Sequence, residues 1–173
     1  MDTNTRRTLV LNMRGSATGT PTPIPRIEAT GTEEAVGFDL PVFDLASGDQ
    51  VGTVLETLAD ITPMNGGLAL VGTQTFRLGD GELTVRGLTS VAPMTHGSPG
   101  YTHMTSGMPA DGENDVLSGT GAYDGAAGPV RLSGAVNLSR FDSEGRIDFN
   151  CIFVVNLAPV ALPDQMAYSE AAR

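Results

Sequence analysis

The feature that most constrains the fold is a glycine-dense turn that leads directly into a strand, in Leu117–Gly134 (LSGTGAYDGAAGPVRLSG). Gly119, Gly121 and Gly125 have a spacing similar to that of a dinucleotide-binding loop, but a phosphate cradle needs a helix N-terminus directly behind its glycines. Apolar and polar residues instead alternate from Val130 onward, which predicts a strand. The spacing therefore does not indicate a nucleotide site.

Composition favours a protein built from strands and turns. Glycine accounts for 22 of 173 residues, whereas about 7% is usual in globular chains. Charged residues make up 17% of the chain, below the usual level of about 25%. Many turns and few charged helix faces indicate an all-β chain, and the length suits one domain with a single core.

The net charge and the cysteine content limit the kinds of partner and the cellular compartment that we expect for the protein. The net charge of −10 argues against nucleic acid or an anionic membrane as a partner. Cys151 is the single cysteine, so neither an intrachain disulfide nor a cysteine-based metal site is expected. The apolar run Leu9–Leu11 is too short for a signal peptide, and no segment approaches the ~18 apolar residues of a membrane span. We therefore expect a cytoplasmic protein.

Period-two alternation predicts most of the strands. The predicted strands and the one long loop are 35–45, Val51–Ile61, Leu68–Leu78, Leu83–Val91, the loop or broken strand Pro93–Asp111, Asp115–Ser118, Val130–Ser139 and Arg146–Leu157. Seven or eight antiparallel strands without a βαβ unit make a sandwich or a barrel. Because the third and fourth strands are apolar on both faces, we expect an all-β, small closed antiparallel barrel of about eight strands with a hydrophobic lumen.

The two ends of the chain are expected to lie outside the barrel. Residues 1–34 contain a proline-rich PTPIP run and are predicted to be an N-terminal arm, either a disordered tail or a lid, although Leu9–Met13 could form a short strand. Residues 35–158 are the predicted barrel domain, and 159–173 are a C-terminal tail.

Three motifs, in their order and spacing, resemble the allene oxide cyclase barrel superfamily, which includes the dirigent proteins. They are Val51–Thr53, the segment that starts at Gly67–Leu68 and ends at Leu78–Gly81, and Gly119–Tyr123 followed by Ala126–Gly128. The last of these is similar to the GTGxYxxAxG turn of dirigent-like chains.

The resemblance covers roughly Val36–Leu157 and is greatest to the bacterial spirotetronate cyclases, cofactor-free barrels (Diels-Alderases) that catalyse intramolecular [4+2] cycloaddition of a polyketide in the lumen. It implies that the following residues face inward and bind substrate: Phe38, Leu70, Gly72, Gln74, Phe76, Val85, Thr89, Val91, Leu132 and Gly134. Where such cyclases have bulky aromatics, this chain has Gly72, Val91, Leu132 and Asn114. We therefore expect a wider lumen and a different substrate. The catalytic carboxylate of the plant enzyme has no clear counterpart here.

Two polar residues are candidates for a catalytic role. Gln74 shares the predicted inward face of its strand and would point outward only if the register slipped by one residue. Tyr101, in the long loop, could donate a hydrogen bond to a substrate carbonyl at the mouth. Met94, Met104 and Met108 could form an adaptable apolar mouth, or could pack under their own loop.

The other reactive side chains are expected to have no catalytic or metal-binding role. Glu56 and Asp60 are expected to point outward into solvent. His96 and His103 lie in the long loop with no partner at metal-ligand spacing, so no metal site is expected. Cys151 lies on the most apolar strand face and is expected to be a small core residue.

The function expected from these patterns is that of a cofactor-independent cyclase that folds a linear, mostly apolar polyketide in its lumen for [4+2] cycloaddition. One alternative is an isomerase that uses acid–base chemistry and needs an inward carboxylate or tyrosine. The other is a barrel that binds a small molecule without accelerating its reaction. A homo-oligomer, most simply a dimer, is also expected.

Overall fold

The computed structural model describes residues 6–25, 32–107 and 115–158, and most of these lie in strands. The strands are β1 (Arg7–Thr18), β2 (Thr20–Pro25), β3 (Thr32–Asp44), β4 (Gln50–Met64), β5 (Gly67–Leu78), β6 (Gly81–Ser98), β7 (Tyr101–Gly107), β8 (Val116–Gly119), β9 (Val130–Asn137) and β10 (Arg146–Leu157). The helical segments are a 3₁₀ turn at Gly121–Tyr123 and the helix α1 (Phe141–Glu144). In the described ranges, no helix is long and apolar enough to cross a bilayer.

Eight antiparallel strands form a closed barrel, which confirms the predicted fold class. Their order around the barrel is β1-β10-β9-β7-β6-β5-β4-β3, and pairing between β1 and β3 closes the ring. The closing contact pairs Leu11 with Asp44 and Met13 with Val42. Two strands lie outside this ring. β2 pairs with the N-terminal half of β3, and β8 pairs with β6.

Strand β1 belongs to the barrel, in contrast to the expectation that residues 1–34 form an arm outside it. It pairs with β10 along its whole length, from Arg7 opposite Leu157 to Thr18 opposite Arg146. Leu11 and Met13 are buried at alternate positions, which is the pattern of an inward strand face. The remaining parts of the predicted arm, residues 1–5 and 26–31, lie outside the described residues, as does the predicted tail 159–173.

The proline-rich run forms the edge strand β2, which pairs with β3. Pro21 and Pro23 alternate with threonines, and proline is compatible with an edge strand because the missing N–H groups can face away from the partner. The proline-rich sequence that suggested an arm outside the barrel is therefore compatible with a strand at the edge of the sheet.

The predicted long loop Pro93–Asp111 is mostly a hairpin. β6 continues to Ser98 and β7 starts at Tyr101, with a turn in which Gly100 has φ of 87°. The register shifts between Pro93 and Ser98, and such a bulge accommodates a residue without a backbone donor. Residues 108–114 lie outside the described residues.

The lower half of the barrel, at the end with the β3–β4 and β5–β6 turns, is packed solid. Phe76 and Phe153 meet edge to face, with ring centroids 5.2 Å apart. Val54, Leu83 and Val155 are fully buried with them. This core leaves no room for a guest molecule, so a ligand in the lumen would have to bind in the upper half.

The glycine-dense turn closes this lower end. Tyr123 is buried, and the Arg7 guanidinium lies over its ring, 5.1 Å from the centroid. Arg7 also donates hydrogen bonds to Asp80 Oδ2 and to the Tyr123 hydroxyl, each at 3.3 Å. A Cβ atom at Gly119 would lie 2.0 Å from the Tyr123 carbonyl oxygen, so this position requires glycine. The turn is followed by strand β9 rather than a helix, and its glycines serve close packing.

Candidate functional site

The upper half of the barrel contains a cavity of about 490 Å³. It opens at the end that carries the β4–β5 turn and the β9–β10 connection, where Gly66, Gly67 and Phe141 line it. Its inner end lies against the packed lower core, at Phe153. The volume is in the range of sites that bind small organic molecules.

The cavity wall is mainly apolar. Its apolar side chains come from most strands of the ring and include Leu58, Leu68, Leu70, Val91, Leu132, Val136, Phe149 and Phe153. Its polar side chains are Glu56, Thr89, Thr102, His103, Thr105, Ser139 and Asp142, of which Thr89 and Thr105 are buried threonines. No lysine or arginine lines it among the described residues. The cavity therefore suits an uncharged, largely hydrocarbon ligand.

Glu56 is a buried carboxyl group at the inner part of this cavity. It lies on β4 directly opposite Gln74 of β5, and its residue surface is 4% exposed. The Gln74 side-chain amide donates a hydrogen bond of 2.9 Å to Glu56 Oε1. Burial raises the Glu56 pKa to about 8, against the opposing effect of the Gln74 hydrogen bond. The group is therefore mostly a neutral carboxylic acid at pH 7.

The second oxygen of Glu56 has no partner. Oε2 is buried and makes no hydrogen bond to any described residue. Because Oε1 accepts from Gln74, the acid proton is placed on Oε2. Glu56 thus presents an unused hydrogen-bond donor.

Gly72 makes space for the Glu56–Gln74 pair. A Cβ atom at this position would lie 2.8 Å from Gln74 Nε2 and 3.4 Å from Glu56 Oε1. The same atom would be 3.5 Å from Thr89 Oγ1. Any side chain at position 72 would crowd the Glu56 and Gln74 side chains. Gly72 therefore provides the space that this pair occupies and does not widen the open lumen.

Cys151 and His103 are the other reactive side chains along the wall. Cys151 is buried, and desolvation raises the pKa of its thiol, as does Glu56 once that group is ionised, so Cys151 stays a thiol. His103 is half-buried on β7, and its Nδ1 lies 2.8 Å from Thr102 Oγ1. His103 was expected in the long loop, but the β6–β7 hairpin brings it to the cavity. Among the described residues, no group of three or more metal-binding side chains is present.

The predicted substrate-binding residues fall into two groups. Leu70, Thr89, Val91 and Leu132 line the cavity. The others face inward without lining it: Phe38, Gly72, Gln74, Phe76, Val85 and Gly134. Phe38 is behind Phe149, with ring centroids 5.3 Å apart, and Phe76 belongs to the lower core. Gly134 packs on Cys151, since a Cβ atom there would lie 2.7 Å from the Cys151 Cα.

The predicted mouth residues do not line the cavity. Met104 is 61% exposed on the outer face of β7, because it alternates with the inward-facing His103 and Thr105. Met94 and Tyr101 are half-buried but are not part of the cavity wall. Met108 and Asn114 lie outside the described residues. The mouth expected of Met94, Met104 and Tyr101 depended on a loop that the structure replaces, as far as Gly107, with the β6–β7 hairpin.

Sequence reasoning placed Glu56 outward, and this expectation is wrong because the residue is buried and faces the cavity. The signal for its true position was present in the strand. Val54 and Leu58, two residues away on each side, share its inward face. Asp60 is exposed as expected, beside a break in the β4–β5 register.

Comparisons with known proteins add little to this site. No family model matches the chain, and no curated protein matches it. Among solved structures, it is similar to AbnU, described as an exo-specific intermolecular Diels-Alderase. The match covers 86% of this chain and 98% of that chain, with 9% sequence identity and a TM-score of 0.36. This likeness is too distant to bear on activity, so membership of the superfamily stays a prediction.

Proposed function

We propose that the protein is a cyclase that binds a linear, mostly apolar substrate in the upper cavity and closes a ring by [4+2] cycloaddition. The observation that carries this proposal is the site itself: an apolar chamber of about 490 Å³, blind at one end, with one neutral carboxyl group near that end. Such a chamber can hold a flexible chain in a folded conformation, which is what an intramolecular ring closure requires.

Cycloaddition needs no nucleophile and no leaving group, because two new carbon–carbon bonds form from the π electrons of a diene and a dienophile. The wall supplies the apolar surface that folds the chain. Glu56 Oε2 has no partner among the described residues, and with the acid proton on this oxygen it would donate a hydrogen bond to a carbonyl group conjugated with the dienophile. A donor fixed in advance in a water-poor site stabilises the charge that builds on that oxygen as the bonds form.

The second candidate is an isomerase in which Glu56 transfers its proton. The raised pKa of Glu56, about 8, favours this alternative because a group that titrates near neutral pH is suited to general acid or base catalysis. The variant Glu56→Gln distinguishes cycloaddition from an isomerase reaction that uses proton transfer. An amide still donates a hydrogen bond but cannot supply a proton, so cycloaddition should persist within a few-fold, whereas proton transfer should fall by about 10²–10⁴-fold.

The first test is a ring-closure assay with a panel of linear trienones that carry a diene and an enone on one chain. We expect the protein to accelerate closure of at least one member. Leu132→Trp should abolish the acceleration, because the indole would occupy the cavity. Ser133→Trp, the exposed neighbour on β9, should leave it unchanged.

Equal rates in protein and buffer across the panel would contradict the proposal. Thermal stabilisation of the protein by the same compounds, without acceleration, would instead favour a binding barrel. Equal acceleration by both tryptophan variants would place the reaction elsewhere on the protein.

A further inference from the structure

We infer that the inner end of the cavity is a subsite for a neutral carbonyl oxygen, which accepts a hydrogen bond from Glu56 Oε2 and enters ahead of an apolar chain. The inference deepens the proposed function and rests on it for the view that the cavity is a substrate site. Beyond the proposed function, it states that a carbonyl group is the part of the ligand that lies deepest in the cavity. It also states which ligands this subsite would reject.

The unpartnered oxygen is the observation that points to a ligand. Glu56 Oε2 is buried and makes no hydrogen bond to any described residue. A buried polar atom without a partner destabilises the folded protein, so such atoms are rare in native structures. A ligand acceptor would satisfy the atom and recover this cost on binding.

The neighbours of Glu56 fix the direction of that donor. Gln74 Nε2 holds Oε1 at 2.9 Å, which leaves Oε2 as the carboxyl oxygen that has no partner among the described residues. Gly72 leaves the space in which the pair sits, and Thr89 Oγ1 lies on the far side of that space. The donor is therefore held in one orientation before a ligand enters.

The same surroundings discriminate against anionic ligands. A carboxylate would meet no lysine or arginine side chain on the cavity wall, within the part of the chain that the structure describes. The titratable groups that face the cavity are Glu56, Cys151, His103 and, at the mouth, Asp142. An anion would therefore be desolvated at the inner end with a single hydrogen bond as compensation.

The test is a binding experiment with three probes of matched chain length: methyl nonyl ketone, undecane and undecanoate. Affinities are measured by calorimetry or by ligand-induced thermal shift for the wild type, Glu56→Gln and Glu56→Leu. Wild type should bind the ketone, and undecanoate at least about tenfold more weakly. Glu56→Leu should lose about three- to tenfold in the preference for ketone over alkane, the worth of one hydrogen bond. Glu56→Gln should keep that preference, since its amide can donate.

A pH series adds an independent readout. Ketone binding to wild type should be constant in mild acid and fall above pH 8, where Glu56 ionises and loses its proton. Binding to Glu56→Gln should not show this fall, which separates the donor from a merely structural effect of the substitution.

Three results would overturn the inference. They are no binding of the ketone by wild type, an unchanged ketone preference in Glu56→Leu, and binding of undecanoate as tight as that of the ketone. Failure here is distinct from failure of the proposed function. Ketone binding that Leu132→Trp blocks but Glu56→Leu does not alter would leave the cavity as the substrate site and remove only the subsite.

Discussion

Raising the pH from 4.5 to about 8 should lower the free energy of unfolding of the wild-type protein by roughly 4 kcal/mol more than that of Glu56→Gln. Burial raises the Glu56 pKa from its ordinary value of 4.5 to about 8. Between these two values the folded protein binds a proton that the unfolded chain has released. Stability therefore falls as the pH rises through this window, by up to about 1.4 kcal/mol per pH unit.

Glu56→Gln is the matched control because it keeps the size of the side chain and cannot ionise. Subtracting its pH profile removes the contributions of the other titrating groups. Asp80 and Asp148 have lowered pKa values, so the stability that they contribute is lost only in acid, below about 3.8. Denaturant unfolding at several pH values measures both proteins, and parallel profiles between pH 4.5 and 8 would show that Glu56 is solvated in the folded state.

Deletion of residues 1–18 should abolish folding. It removes β1, which pairs with β10 over its whole length and closes the ring against β3. The barrel would then have two open edges and would lose the buried side chains Leu11 and Met13. The loss should exceed the 5–15 kcal/mol by which a typical domain is stable. Circular dichroism and thermal unfolding report the result.

Deletion of residues 1–5 is the control, and it should leave the unfolding transition in place because β1 begins at Arg7. Leu11→Ala gives a graded version of the same test. The side chain is 4% exposed, and such truncations cost about 2–5 kcal/mol. Cooperative unfolding of the protein that lacks residues 1–18 would mean that the N-terminal segment is an arm after all.

The barrel could be predicted from sequence because alternation records which face of a strand is buried. In β10, Ile147, Phe149, Cys151 and Phe153 are all buried at alternate positions, as the pattern indicates. The strands that were missed or left as alternatives are β1, β2 and the β6–β7 hairpin, and they contain or adjoin prolines and glycines that usually end strands. Their pairing depends on partners far away in the chain, which alternation alone does not reveal.

The candidate site was harder to predict because its chemistry is a product of tertiary packing. The parity of Val54 and Leu58 could have placed Glu56 inward. That its acid is neutral depends on desolvation by strands distant in sequence, which outweighs the opposing effect of the hydrogen bond from Gln74 directly opposite. Likewise, Phe76 and Phe153 are far apart in the chain, and only their contact shows that the lower lumen is filled.

The most direct measurement is a pH titration of the Glu56 carboxyl carbon by carbon-13 NMR, with Glu56→Gln to assign the signal. A midpoint near pH 8 is expected for a buried acid at the inner part of an apolar cavity. Methyl nonyl ketone should move that midpoint higher, because its carbonyl oxygen would bind only the protonated acid. A midpoint near the ordinary value of 4.5, unchanged by the ketone, would contradict both the buried acid and its role in binding.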